Sequence, residues 1–317
     1  MALTLSLPPL YPSGTTETYT LRNIDTNACS GQSDISFHGL KRLNGGARYR
    51  IDVHRGQLTL SSAKPPLDVV CKIGFGTIAK GRISHEASLY TGKLSHLQGE
   101  CIPHCHGYFV GDTGEGPTAC IILTYCGEPI QDMLMHLPPA FKTGLVNALV
   151  GIHDAGVKHL DLSRGNILDY HGGPMIIDFE DALEHECGRH VPIEEGAPGP
   201  SKTSEIGCRE LYQFFMKLNI WTPAFIRYTG RSFPIKFAFD ARTLAKMAPS
   251  HWSHEEALQE ANRVIVEHVK TYYPEHYDKW RASFSAPIIS YRSSINVDQS
   301  STDRHHAGYT RFHLDIS

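Results

Sequence analysis

The sequence predicts an α+β fold in which a β-rich N-terminal part gives way near Gly127 to a larger, mainly helical part. Three observations carry this. From about Thr16 to Leu60, short apolar stretches are broken by glycine, asparagine and serine, as in strands joined by turns. Leu67 to Ile73 reads as a buried strand carrying one lysine, Lys72. After Cys126-Gly127-Glu128-Pro129, the apolar residues Phe141, Leu145, Leu149 and Ile152 recur at helical intervals.

In chain order, Met1 to Pro9 is mildly apolar but lacks a basic start and breaks at prolines, so no signal peptide is expected. Beyond the lysine strand, Ile83, Ala87, Tyr90, Leu94 and Leu97 mark one face of a helix that also carries Glu86. His106 to Val110 and Ala119 to Tyr125 read as a hairpin turning through the glycine-rich Gly111 to Pro117. Residues 187–205 are rich in Gly, Pro, Glu and Ser and read as a long loop. Helical text resumes at Glu210 to Met216 and from about Glu255 to Tyr273. The expected organisation is 1–126, 127–285 and a polar tail over 286–317.

The chain has 317 residues, 41% of them hydrophobic, enough to bury a core. A net charge of -3 offers no global positive field for nucleic acid or an anionic membrane. No run approaches the roughly 18 to 20 apolar residues that a membrane span needs, and the sequence reads as cytoplasmic. The cysteines, at 29, 71, 101, 105, 120, 126, 187 and 208, are scattered rather than packed into a stapled scaffold, which points to reduced thiols. Cys101-Ile102-Pro103-His104-Cys105-His106 crowds possible metal ligands but lacks a second pair at a recognisable spacing, and reads as a connection between helix and strand.

Chemistry concentrates in Val157-Lys158-His159-Leu160-Asp161-Leu162-Ser163-Arg164-Gly165-Asn166-Ile167-Leu168, followed by Met175-Ile176-Ile177-Asp178-Phe179-Glu180. An H-x-D-x-x-x-x-N element followed by a D-F-G-like element resembles the catalytic loop and metal-binding strand of the protein-kinase-like superfamily. The D-F-E variant and the unusual sequence after it suggest a divergent, fungal-type member. The resemblance covers roughly Val69 to Leu183. It implies a two-lobed protein-kinase-like fold, with a small β-rich N-lobe and a larger mainly helical C-lobe.

It also implies roles. Asp161 would accept or orient the proton of an attacking hydroxyl, and Asn166 and Asp178 would hold Mg2+ on the phosphates of ATP. Lys72 would align those phosphates and Glu86 would pair with Lys72, since an unpaired buried ammonium is costly. Tyr125 and Cys126 match the hinge whose backbone reads the adenine edge. His159 would pack and fix the loop without transferring protons. Arg164 either adds positive charge near the transferring group or is a surface arginine. The Gly45-Gly46 pair either cradles phosphate or simply turns a hairpin.

Glu180 replaces a glycine of the pattern, as in choline-kinase-like enzymes, and no peptide-docking platform is recognisable after Asp178. Both lean toward a small-molecule acceptor. Leu160 stands where many protein kinases carry the arginine that senses loop phosphorylation. The activity implied is an ATP-dependent phosphotransferase acting on a hydroxyl. The alternatives are a pseudokinase binding module, or another reaction run on the same fold.

Overall fold

Leu3, Leu5 and Leu7 alternate with Ala2, Thr4 and Ser6, and the first strand, β1 (Ala2–Leu7), accordingly buries every second residue. In the computed structural model, which describes residues 2–8, 15–23, 35–46, 50–60, 64–274 and 277, this strand closes a barrel. The other staves are β2 (Glu17–Asn23), β3 (Ile35–Gly46), β4 (Ile51–Thr59), β5 (Leu67–Phe75), β6 (Cys105–Thr113) and β7 (Gly116–Thr124). Their order is β1-β2-β6-β7-β5-β4-β3, closed by a parallel pairing of β1 with β3. Closure leaves no sheet edge exposed among these strands.

Alternation along β5 and β7 sorts side chains between two cores. Val69, Cys71 and Ile73 join Cys120, Ile122, Leu3, Leu5 and Phe37 in one cluster. Ala119, Ile121 and Leu123 pack on the other face against α1 (Thr77–Thr91) and the residues beyond it. Lys72 lies between Cys71 and Ile73 in β5 and so projects from the face opposite theirs.

Beyond the barrel come β8 (Glu128–Pro129), α2 (Pro139–Asp154), β9 (Val157–Lys158), β10 (Ile167–Tyr170), β11 (Gly173–Ile176), β12 (Leu183–Glu184) and α3 (Arg209–Leu218). β10 and β11 form a hairpin whose central turn residues, His171 and Gly172, both have positive φ, the requirement of a tight type I′ turn. The stripe Phe141, Leu145, Leu149 and Ile152 is buried on α2, as are Ile83, Ala87 and Tyr90 on α1.

Two compact units divide the chain: residues 1–195 with 202–221, and residues 196–201 with 222–317. The Gly127 boundary thus falls inside the first. In the second unit, β13 (Phe225–Tyr228) and β14 (Arg231–Pro234) pack with α4 (Ala241–Ala245) and α5 (His254–Tyr272) around Tyr228, Leu244, Ala261 and Ile265. A capping box between Ser253 and Glu256 starts α5.

The expectation of a two-lobed kinase-like fold with a larger, mainly helical C-lobe is corrected. The dominant element is the closed seven-stranded barrel, and among the described residues four α-helices follow Gly127, separated by short strands, 3-10 turns and loops. The physical reason is β1, whose apolar alternation supplies the strand that joins β2 to β3 and rolls the sheet shut. The predicted hairpin is β6 and β7, with a tighter turn at Gly114 and Glu115 than the glycine-rich text suggested. The expected tail over 286–317 lies outside the described residues. Among the described residues, no helix is long and apolar enough to cross a membrane.

Candidate functional site

Lys72 and Glu86 meet because β5 runs directly into α1, which turns back across the sheet. Lys72 Nζ donates to Glu86 Oε2 at 2.8 Å and to Asp178 Oδ1 at 2.6 Å, and lies 2.5 Å from Glu180 Oε1. The other Glu86 oxygen accepts the backbone N–H of Phe179 at 3.1 Å. Glu86 is wholly buried, and Phe179 is wedged against Tyr90 and His159. Burial would discharge the ammonium, but Glu86, Asp178 and Glu180 outweigh it and hold the Lys72 pKa above that of an ordinary lysine. Complete burial pushes Glu86 upward against the pull of Lys72. The two directions conflict if one proton is to be shared. With three carboxylates around one ammonium, the charged lysine is the form the geometry favours.

The loop that carries Asp161 leads into the β10/β11 hairpin. Ile167 pairs with Ile176, and the Ile177 N–H donates to the Asn166 carbonyl at 3.0 Å, so Asn166 and Asp178 sit at neighbouring ends of the two strands. Asn166 Nδ2 donates to the Asp161 carbonyl at 2.9 Å and to Asp161 Oδ2 at 3.2 Å. His159 is buried, with Nε2 bonded to the Ile177 carbonyl at 2.9 Å and Nδ1 3.3 Å from the Asp161 N–H. A neutral ring carrying its proton on Nε2 satisfies both bonds, and burial lowers its pKa. Leu160 (φ 69°) and Asp178 (φ 70°) both occupy the left-handed region, which costs a non-glycine residue about 1–3 kcal/mol. Such strain flanking both acids marks a segment held by its surroundings.

What holds the loop is Glu210, in the first turn of α3, a residue to which the sequence motifs assign no role. Its carboxylate accepts the Leu160 N–H at 2.6 Å, the His159 N–H at 3.2 Å and the His153 ring at 2.8 Å. Burial raises its pKa, but these hydrogen bonds prevail and hold it below the ordinary carboxylate value. An acid opening a helix was the available signal.

Lys72, Glu86 and Asp178, with Asn166, border a cleft of about 560 Å³, whose lining does not include Asp161. Ile51, Val53, Val70, Leu123, Leu168 and Ile177 form its apolar wall, with Lys72, Glu86, Asn166, Asp178 and Glu180 as its polar side. Tyr125 and Cys126 line it as well; Tyr125 donates its hydroxyl to Glu128, lies under the Arg55 guanidinium at 3.6 Å, and gives its N–H to the Asp68 carbonyl. A second depression of the same volume lies across Tyr125, lined by Arg55, His106 and Asp169, and contains none of the predicted acids.

Gly45 and Gly46 end β3, paired with Asp52 and Ile51 of β4, while residues 47–49 of the proposed phosphate loop lie outside the described residues. Arg164 is exposed and donates to the Gln131 carbonyl at 2.7 Å. Glu180, whose role the sequence left open, bridges Lys72 and Arg82, the latter at 2.7 Å.

Carboxylate and amide oxygens form the donor set of a hard divalent cation. Glu86, Asp178 and Glu180 present oxygens within 4.8 Å of one another. The Asn166 amide nitrogen is spent on Asp161, which leaves its oxygen as the atom for a cation. These oxygen donors suit magnesium, which would neutralise the carboxylate charge that Lys72 and Arg82 leave unmatched.

No protein-family model and no curated protein matches the chain.

Proposed function

We propose that this protein is an ATP-dependent phosphotransferase that moves the γ-phosphoryl group to a hydroxyl, a small molecule being favoured over a protein as acceptor. The reading concerns the chemistry of the cleft, not a two-lobed architecture. The observation that carries it is Lys72 Nζ bridging Glu86 and Asp178 at 2.8 and 2.6 Å beside an apolar-walled cleft. The likeness of the Asp161 loop and the Asp178 strand to those of the protein-kinase-like superfamily supports it.

Each residue then has a task. Lys72, kept charged by its carboxylates, aligns phosphate oxygens. Asn166 and Asp178, with Glu180 beside them, would hold magnesium, which when bound would neutralise phosphate charge. Asp161 is exposed, tethered through Asn166, and takes or orients the proton of the acceptor hydroxyl as the hydroxyl oxygen bonds to the γ-phosphorus and the bond from phosphorus to the departing ADP oxygen breaks. Tyr125 and Cys126 border the space for the base. The apolar wall excludes water from the nucleotide, and most of the acceleration comes from positioning and charge neutralisation.

A cytosolic setting belongs to this reading, because cysteines scattered along the chain suit a reducing compartment. Nucleotide and an acceptor alcohol are the partners this reading requires; nucleic acid and membrane are not among them.

One observation favours a second reading, a binding module without catalysis. Glu180 engages the Lys72 ammonium that phosphate would need. Transfer of label from γ-labelled ATP into pooled small-molecule alcohols, or into protein, separates the two. Label in a small molecule, lost in Asp161→Ala, supports the proposal. Tight nucleotide binding with no transfer to any acceptor supports the binding module.

A further inference from the structure

His153, His185, Cys187 and Cys208 come from three segments distant in sequence: the last turn of α2, the chain leaving β12, and the residue that caps α3. Their ligand-capable atoms all lie within 4.8 Å of one another. Cys208 Sγ is 3.6 Å from His153 Nδ1. Two ligands at ordinary zinc–sulfur and zinc–nitrogen bond lengths with a tetrahedral angle between them stand about 3.5 Å apart.

Two further observations point to a ligand. Nε2 of His185 is buried and has no hydrogen-bond partner, a condition that costs stability unless something accepts the lone pair. His153 directs Nε2 to the Glu210 carboxylate at 2.8 Å. A carboxylate only accepts, so the proton belongs on Nε2 and the lone pair on Nδ1, facing Cys208. A carboxylate behind a histidine in this way is the usual outer support of a zinc ligand.

The backbone is built to bring the two cysteines together. Gly207 (φ 88°) presses against residue 188: a Cβ there would stand 2.0 Å from the Gly188 carbonyl oxygen. The His190 N–H donates to the Ile206 carbonyl across the same contact, and the His185 N–H to the Gly156 carbonyl near the end of α2.

We propose that His153, His185, Cys187 and Cys208 form a tetrahedral structural zinc site. Two thiolates with two imidazoles are the donor set of zinc rather than of magnesium or calcium. All four positions are filled by protein, so the ion is structural and does no chemistry on substrate. Through His153 and Glu210 it reaches the N–H groups of His159 and Leu160, and so steadies the loop that carries Asp161. The site stands independently of the phosphotransferase reading.

The full chain, purified without chelator, is assayed for metal and then exchanged with cobalt(II). The site requires one zinc per chain and, after exchange, the strong visible absorption and thiolate charge-transfer band of tetrahedral cobalt. Cys187→Ser, at a half-buried position, should lower zinc affinity at least about tenfold and weaken the charge-transfer band. Cys101→Ser, outside the cluster, should change neither. Folded wild-type protein that neither contains zinc nor gives the tetrahedral cobalt spectrum would overturn the site. So would Cys187→Ser that is folded and retains full affinity, or a Cys187–Cys208 disulfide found by mass spectrometry in place of bound metal.

Discussion

The Lys72 ammonium donates at 2.8 Å to Glu86 Oε2, and the carboxylate is wholly enclosed by protein. Asp178 and Glu180 crowd the same ammonium. Lys72 is therefore the common counter-charge of three acids, and removing it has consequences for folding as well as for function.

Lys72→Met leaves Glu86 buried without its cation and Asp178 without its lysine, while Glu180 keeps Arg82. We expect a destabilisation of about 3–5 kcal/mol, the usual cost of breaking a buried pair from one side. Urea unfolding at neutral pH measures it. The deficit should shrink as pH falls, because protonating Glu86 removes the uncompensated charge.

Burial depresses the pKa values of His54, His106 and His159. Each binds a proton more readily unfolded than folded, so stability is fully present above the unfolded value of about 6.5 and is lost as pH falls below it. Both ring nitrogens of His54 are buried without a hydrogen-bond partner. His54→Leu should be neutral or stabilising, and should flatten the fall in the unfolding midpoint between about pH 7.5 and 5.5.

Leu160 is exposed and its backbone lies in the left-handed region. Leu160→Gly removes a strain of about 1–2 kcal/mol, offset in part by the added freedom of the unfolded chain, and should hold or raise the thermal midpoint. Leu160→Val, with a β-branched side chain at the same φ, should lower it. Thermal denaturation of the two variants against wild type decides the matter.

Asp161→Ala should cost about 10²- to 10⁴-fold in kcat, the range for loss of a positioned base, with nucleotide affinity little changed. Equal loss of binding and transfer would contradict the role given to Asp161.

Much of the cleft was legible because its parts are local. A lone lysine in an apolar strand followed by a helix glutamate announces a pair, and strand β5 delivers it directly into α1. Asn166 and Asp178 bracket a hairpin whose His171-Gly172 turn closes it in register. The barrel was not read, because its closure rests on a parallel pairing of β1 with β3 between distant segments. The alternation of Leu3, Leu5 and Leu7 is visible in the sequence, yet a lone alternating strand does not name its partners, here β2 and β3. Glu210 and the cluster of His153, His185, Cys187 and Cys208 escaped for a related reason: their members lie on separate segments, and His185-x-Cys187 alone has no recognisable metal spacing.

Calorimetric titration of ATP into the purified chain, with and without magnesium and alongside Asp178→Asn, is the decisive test of a magnesium-dependent nucleotide site. Binding that requires magnesium and is lost in the variant is the expected result. Well-folded wild-type protein that binds no nucleotide, or binds it equally without magnesium and in Asp178→Asn, would contradict it.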